Sequence, residues 1–195
     1  WESRFNARTK KLKQQAKFRQ SASLLDIDYD AQRGIKKNAL LNLLQLDFMV
    51  HQQNIIITGA TGTGKSFITT CNRNKACDMH FKTKYITMVD LATEIELEQL
   101  KGSYAKWLKT LQDCHLLIID DFGLTTITQG LKKALMEIID YRYGRSSTII
   151  AAQIPIDKWH QLINDDTIAD ALLDRIVHRS HKIELQGESM RRLKK

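Results

Sequence analysis

The residues whose types and spacing carry the most specific chemistry run from Asn54 to Ser66, where a short apolar stretch leads into a glycine-rich loop. The loop matches G-x-x-x-x-G-K-[ST] at every position. Glycines allow positive φ angles and leave room for phosphate oxygens, while the amides of the loop and of a following helix point at the anion. We therefore expect one set of residues to bind nucleotide phosphates: Gly59, Ala60, Thr61, Gly62, Thr63, Gly64, Lys65 and Ser66.

Two residues of this loop have separate expected roles. Lys65 would bridge the β- and γ-phosphates of ATP, and the Ser66 hydroxyl would ligate Mg²⁺. The alternative is a glycine-rich turn that binds no ligand. The three consecutive isoleucines before the loop disfavour it, because β-branched residues predict the buried strand that the phosphate-binding motif requires.

A second informative stretch runs from His115 to Asp121, where four apolar residues precede two carboxylates. The pattern predicts a buried parallel strand, and ligands of open α/β sheets bind at the carboxyl ends of such strands. We expect Asp120 to hold the water shell of Mg²⁺ and Asp121 to be the base or the water-orienting group that aligns the attacking water. An apolar strand ending in aspartate is common, but its position 55 residues after Lys65 makes this one specific.

Two further polar patterns are less specific. Gln153 follows a predicted strand, and its amide either lies beside the acidic strand, within reach of the γ-phosphate or of water, or belongs to an ordinary turn. His178 and His181 have the spacing of a zinc pair. Zinc needs further ligands that the sequence does not supply nearby, so a structural role is favoured for both histidines.

The elements that must position these residues alternate along the chain. The predicted strands cover 55–57, 84–89, 115–121, 147–152 and 182–185. The predicted helices cover 35–50, 67–80, 90–112 with a break near Gly102, 128–144, 157–163 and 166–178. Together with the phosphate loop, this alternation predicts the α/β fold of a P-loop NTPase: three layers, α/β/α, around a mostly parallel five-stranded sheet.

Charge and length suggest an anionic partner and one domain. The 195 residues carry a net charge of +8, which favours nucleic acid; the alternative is a cationic surface that only keeps the protein soluble. We expect a basic arm or linker over 1–25, an ATPase domain over 26–190 and a basic tail over 191–195. Candidate DNA contacts lie in the arm and in the helical pair over 90–112: Arg8, Lys10, Lys11, Lys101, Lys106 and Lys109.

The compartment is suggested by the cysteines and by the hydropathy. Cys71, Cys77 and Cys114 are odd in number and form no C-x-x-C pattern, which indicates a reducing cytoplasm. No apolar run approaches the ~18 residues of a membrane span, and no signal peptide is visible, so we expect no membrane association. The chain starts at Trp1, which suggests a piece of something longer.

Several segments together closely resemble the IstB-like family of AAA+ ATPases, which assist the transposases of bacterial insertion sequences. The resemblance covers about residues 26–191 and extends to DnaC-type helicase loaders and, more distantly, to the replication initiator DnaA. Besides the phosphate loop, the segments that carry it are Leu116–Gly123, Asp140–Tyr143, Ser147–Ile149, Asp170–Ile176 and Gly187–Met190.

The resemblance implies roles that the residues alone do not. Arg175 is similar to the arginine finger that reaches the nucleotide of a neighbouring subunit, although pairing with Asp170 or Asp174 within the chain is the alternative. Gln153 is similar to the sensor-1 residue, and 90–112 to the insertion that lines a DNA channel. The family implies ATP and Mg²⁺ as cofactors, a homo-oligomer with ATP at its interfaces, duplex DNA and the transposase of the same insertion sequence as partners.

The sequence also departs from the wider AAA+ class. Asp121 stands where many members have glutamate, which predicts slow hydrolysis, and no helical lid is expected after the last strand. Two other functions compete. A DnaC-like helicase loader would prefer single-stranded DNA, whereas a P-loop kinase of a small molecule would need a lid and an acceptor pocket that the sequence does not indicate.

Overall fold

Five parallel strands form the centre of the structure, a computed structural model that describes residues 37–189. The strands are β1 (Asn54–Gly59), β2 (Thr83–Thr87), β3 (Leu116–Phe122), β4 (Ser147–Ala152) and β5 (Ser180–Leu185). Their order in the sheet is β2-β3-β4-β1-β5, and every neighbouring pair is parallel. The predicted sheet is therefore confirmed, and it is wholly parallel. Its carboxyl edge carries the phosphate loop after β1, the aspartates of β3 and Gln153 after β4.

Helices cover both faces of this sheet, as the alternation of elements predicted. The helices are α1 (Lys37–Gln45), α2 (Asp47–Val50), α3 (Lys65–Asp78), α4 (Met88–Leu100), α5 (Tyr104–Gln112), α6 (Gln129–Arg142), α7 (Trp159–Ile163) and α8 (Asp166–Val177), with a 3-10 turn at Ile156–Lys158. Side chains alternate along β1: Ile55 and Ile57 pack with α1 to α3, whereas Ile56 packs with α4 to α8. Both faces are buried, so the strand sequence is continuously apolar.

Several predicted boundaries differ from the structure, and two of these differences have a clear local cause. The predicted helix 35–50 is broken at Leu46, whose φ of 65° is left-handed and separates α1 from α2. The predicted strand 84–89 ends at Thr87, because the Thr87 hydroxyl accepts a hydrogen bond from the Asp90 amide and caps α4. The predicted break in 90–112 is confirmed, since Gly102, with φ of 68°, lies between α4 and α5.

A buried arginine, Arg142, links the end of α5 to the starts of β3 and β4. Arg142, at the end of α6, is 1% exposed. Its Nη1 donates to the carbonyl oxygens of Leu111 and Cys114 at 2.9 and 2.7 Å, and its Nε donates to Thr148 Oγ1 at 3.0 Å. Its Nη2 donates to the Ser147 carbonyl. The guanidinium thus satisfies backbone carbonyls between α5, β3 and β4, which keeps the starts of both strands aligned.

Some predictions lie outside the described residues. They are the arm over 1–25 with Arg8, Lys10 and Lys11, and the tail over 191–195. Among residues 37–189, no helix is long and apolar enough to cross a membrane.

Candidate nucleotide-binding site

The phosphate loop leaves β1 at Gly59 and enters α3 at Lys65, and its shape depends on glycines packed against the end of the chain. Gly59 has φ of 148° and lies against Leu185, where a side chain would collide with the Leu185 carbonyl. Gly62 has φ of 85° and lies against the side chain of Ser189. The segment after β5 therefore packs on the loop. Ser189, which belongs to the Gly187–Met190 motif, thus lies beside the predicted phosphate site.

The first turn of α3 offers donors to an anion. The helix runs for 14 residues from Lys65, and Gly64 before it has no side chain that could cap the first amides. The Ser66 side chain is exposed at this end of the helix. Free amides and the helix dipole make such a terminus favourable for phosphate, as the sequence pattern predicted.

Lys65 lies inside the loop and close to both aspartates of β3. Its Nζ donates to the carbonyl oxygens of Gly59 and Ala60 at 2.6 and 2.9 Å. Burial lowers the pKa of Lys65, and the negative charges of Asp120 and Asp121 oppose that shift. An ammonium has three donors, so the two bonds to the loop leave one for a ligand. The structure thus brings together the cation and the two acids that the sequence assigned to one site.

The two acids differ in their surroundings. Asp120 is 1% exposed, and its Oδ1 accepts a hydrogen bond from the Asp121 amide at 2.9 Å. Asp121 is partly exposed and has a left-handed φ of 57°, at an irregularity in the pairing of β3 with β4 between Ile119 and Phe122. Bulges and positive φ in residues other than glycine are concentrated at functional sites, where they redirect a side chain. The strand pattern alone does not predict this bend.

Gln153 contacts the phosphate loop. Thr61 Oγ1 donates to Gln153 Oε1 at 2.7 Å, across 92 residues of sequence. Because β4 lies between β1 and β3, the residue that follows β4 lies between the loop and the acids. This position agrees with the first interpretation of Gln153, an amide beside the acidic strand. An ordinary turn residue would not need the contact with Thr61.

Arg175 pairs within the chain, but with a partner that the sequence did not suggest. Its Nε donates to Asp140 Oδ1 of α6 at 2.8 Å, and its Nη1 donates to the Ala171 carbonyl at 2.9 Å. The predicted internal partners were wrong, because Asp170 faces His160 and Asp174 faces His178. The packing of α6 beside α8 selects Asp140, and the pair remains at the surface.

The cations of the α4–α5 pair lie at the surface, whereas its aromatic residues hold the pair to the body. Lys101 pairs with Glu98 at 2.9 Å, Lys109 pairs with Asp113 at 2.9 Å, and Lys106 is exposed. Two aromatic side chains pack against the core and donate to carboxylates at 3.0 and 2.8 Å: Tyr104 to Glu137, and Trp107 to Glu94. The cations of the pair, unlike these two aromatic rings, therefore lie where a nucleic-acid phosphate could contact them.

The histidine pair has separate partners. His178 Nε2 lies 3.2 Å from Asp174 Oδ1, and His181 Nε2 lies 2.7 Å from Gln53 Oε1. Within 37–189, the histidine, cysteine and acidic side chains form no group of three that could hold a metal ion. The structural role favoured for these histidines agrees with these contacts.

Comparison with known proteins places the chain in a family. The family described as IstB-like ATP binding protein matches residues 2–195. This chain belongs to that family. Two proteins of Sinorhizobium fredii that are named as insertion sequence ATP-binding proteins are similar to it. One, y4pL, is 37% identical and aligns over 98% of this chain and 78% of its own length. The other, y4uH, is 40% identical and aligns over 92% of this chain and 72% of its own length.

Solved structures share the fold of this IstB-like protein. DnaI has a TM-score of 0.72 at 15% identity and covers 85% of this chain and 91% of its own. The DnaC helicase loader has a TM-score of 0.64 at 15% identity and covers 76% of this chain and 87% of its own. DnaA from Aquifex aeolicus, bound to AMPPCP, has a TM-score of 0.61 at 21% identity and covers 80% of this chain and 46% of its own. At these identities the likeness shows the AAA+ fold alone, which confirms the predicted fold class.

The sequence did not indicate three residues that contact predicted functional residues. Tyr85 contacts Asp120, Ser189 packs on Gly62, and Asp140 holds Arg175. Tyr85 lay in a predicted strand, but no local pattern of β2 singled it out. Ser189 and Asp140 lay in segments that carried the family resemblance, but no local pattern indicated their contacts.

We expect Gly62→Ala to lower the affinity for an ATP analogue at least about tenfold. The new Cβ would be strained at positive φ, by roughly 1–2 kcal/mol, and would collide with Ser189. Gly102→Ala is the matched control, because Gly102 also has positive φ but open space around it. Fluorescence titration with a labelled analogue measures both. Equal affinities for Gly62→Ala and the unmodified protein would contradict this packing of the loop.

Proposed function

We propose that this IstB-like protein is a Mg²⁺-dependent ATPase that assembles on duplex DNA and helps a transposase capture its target DNA. The observation that carries the catalytic part is the convergence of Lys65, Asp120 and Asp121 at the phosphate loop. Family membership supports ATP binding, and the names of the relatives support a role in an insertion sequence.

Magnesium fits the donors at this site. Mg²⁺ prefers oxygen ligands and is usually bound through one or two carboxylates together with substrate phosphates. Ser66 and Asp120 would hold it, since each oxygen of Asp120 accepts one hydrogen bond and keeps a further lone pair for a metal-bound water. When bound, the ion would neutralise the negative charge that develops on the phosphate oxygens during phosphoryl transfer.

The remaining residues have distinct roles in the proposed hydrolysis. Lys65 holds the β- and γ-phosphates, and the Asp121 carboxylate, redirected by the left-handed φ at this position, accepts a proton from the attacking water. Gln153 hydrogen-bonds that water or the γ-phosphate from the end of β4. Arg175 leaves Asp140 to contact the nucleotide of the next subunit. Asp140 is 60% exposed, and an exposed ion pair contributes little to stability, so the exchange requires little energy.

The DNA part of the proposal rests on charge. The net charge is +8, and exposed cations of the α4–α5 pair, with Lys106 as the clearest case, lie where DNA phosphates can reach them. The alternative is a helicase loader that prefers single-stranded DNA, since DnaC and DnaI share the fold. The relatives above 30% identity are named for insertion sequences, which favours the transposition role. Competition between duplex and single-stranded DNA distinguishes the two.

We expect Lys65→Ala to abolish ATP binding, and Asp121→Asn to bind ATP while kcat falls about 10²- to 10⁴-fold. Asparagine tolerates the left-handed φ of position 121, so this variant removes the base without straining the backbone. Phosphate release measures turnover, and calorimetry measures binding. Normal turnover by Lys65→Ala protein is incompatible with the proposed site.

Duplex binding should weaken steeply with salt, because each phosphate that is neutralised releases counterion. In a plot of log affinity against log salt, Lys106→Gln should reduce the slope by about one unit. Lys133→Gln is the matched control: Lys133 is also exposed, but it lies on α6, outside the α4–α5 pair. An affinity that barely changes with salt would favour the alternative of a merely soluble cationic surface.

Arg175→Ala protein should fold and bind ATP but lose ATP-dependent assembly on DNA and most hydrolysis. Mixing it with Lys65→Ala protein should restore part of the activity, since an intact Arg175 then serves an intact Lys65 across one interface. Asp140→Asn breaks the same internal pair and keeps the arginine, so it should still assemble. If Asp140→Asn and Arg175→Ala are equally impaired and no mixture recovers activity, Arg175 is only a structural partner of Asp140.

A further inference from the structure

The carboxylate of Asp120 is held on both oxygens by groups of the protein. Its Oδ2 accepts a hydrogen bond from the Tyr85 hydroxyl at 2.9 Å, while its Oδ1 accepts from the Asp121 amide at 2.9 Å. The pairing of β2 with β3 makes this possible, because Thr87 is opposite Asp120 and Tyr85 is opposite Ile118. Tyr85 thus points from the neighbouring strand on the same face of the sheet as Asp120.

Arg73 of helix α3 packs on the face of the Tyr85 ring. The Arg73 guanidinium lies 5.0 Å from the centre of the ring, and Arg73 is 2% exposed. Arg73 follows Ser66 by seven residues, which is about two helical turns, so one side of α3 faces both the ring and the predicted metal site. The ring is therefore held by a cation–π contact that does not involve its hydroxyl.

The hydrogen bond between Tyr85 and Asp120 has one donor, the phenol, and one acceptor, the carboxylate. A protonated phenol can only donate to the ionised carboxylate, which has no hydrogen of its own. The direction of the hydrogen bond is thereby fixed, and with it the rotation of the Asp120 side chain.

We propose that Tyr85 is a positioning residue for Mg²⁺: its hydroxyl orients the Asp120 carboxylate toward the metal-bound waters beside Ser66. This rests on the proposed function, in which Asp120 holds that water shell. Groups that orient a metal-binding carboxylate in this way typically affect metal affinity by ten- to a hundredfold. Tyr85 itself contacts neither the metal nor the nucleotide in this proposal, and it acts through Asp120.

The test is Tyr85→Phe, which removes the hydroxyl and keeps the ring under Arg73. A labelled, non-hydrolysable ATP analogue is titrated with Mg²⁺, and its affinity is also measured in EDTA. We expect the Mg²⁺ concentration at half-saturation to rise about tenfold, with the affinity in EDTA unchanged. Tyr104→Phe is the matched control: Tyr104 also donates its hydroxyl to a carboxylate, that of Glu137 at 3.0 Å, but outside the site. It should leave both values unchanged.

The outcomes separate this proposal from the proposed function. An unchanged Mg²⁺ requirement in Tyr85→Phe, with normal Mg²⁺-dependent binding in the unmodified protein, overturns the role of Tyr85 alone. Equal weakening with and without Mg²⁺ also overturns it, because the hydroxyl would then support the loop as a whole. No Mg²⁺-dependent binding by the unmodified protein would overturn the proposed function and the role of Tyr85 together.

Discussion

The parallel register of the sheet is the constraint on which the site depends. Because all five strands run the same way, the carboxyl ends of β1, β3 and β4 meet at one edge. Thr58 pairs with Ala152 and Thr87 with Asp120, so the phosphate loop, Gln153 and the acids lie at nearly one level. A shift of one residue in β3 would turn Asp120 to the opposite face, away from α3 and Lys65. The site is therefore a consequence of strand pairing.

Buried charges have two different uses in this fold. Arg142 lies far from the carboxyl edge and donates to backbone carbonyls and to Thr148, so its charge is solvated by fixed dipoles. Lys65, Arg73 and Asp120 form a second group, in which cations of α3 face an acid of β3. Isolated buried charges are strongly unfavourable, which explains why each is compensated. The second group is also arranged to receive further charge from a nucleotide and its metal.

The residues proposed for assembly lie where exchange of partners is easy. Arg175 and Asp140 form a surface ion pair on α8 and α6, and Lys101 and Lys109 pair with nearby acids. Solvent and salt weaken such pairs, so a phosphate can replace the carboxylate at little loss. By contrast, Tyr104 and Trp107 bind their carboxylates from partly buried positions, and burial with the Glu137 contact raises the pKa of Tyr104 to about 12. The α4–α5 pair is packed against the core, while its cations lie at the surface.

The sequence alone determined what depends on local pattern. The loop from Gly59 to Ser66, the apolar strand before Asp120 and the order of strands and helices follow from spacing and periodicity, which are properties of neighbouring residues. Tertiary structure decided which distant groups meet. The contact of Tyr85 with Asp120 needs the register of β2 on β3, and that of Arg175 with Asp140 needs α6 beside α8. The packing of Ser189 on Gly62 needs the end of the chain to return to the loop. These contacts join residues 35 to 127 positions apart, and no local preference of the chain encodes such pairings.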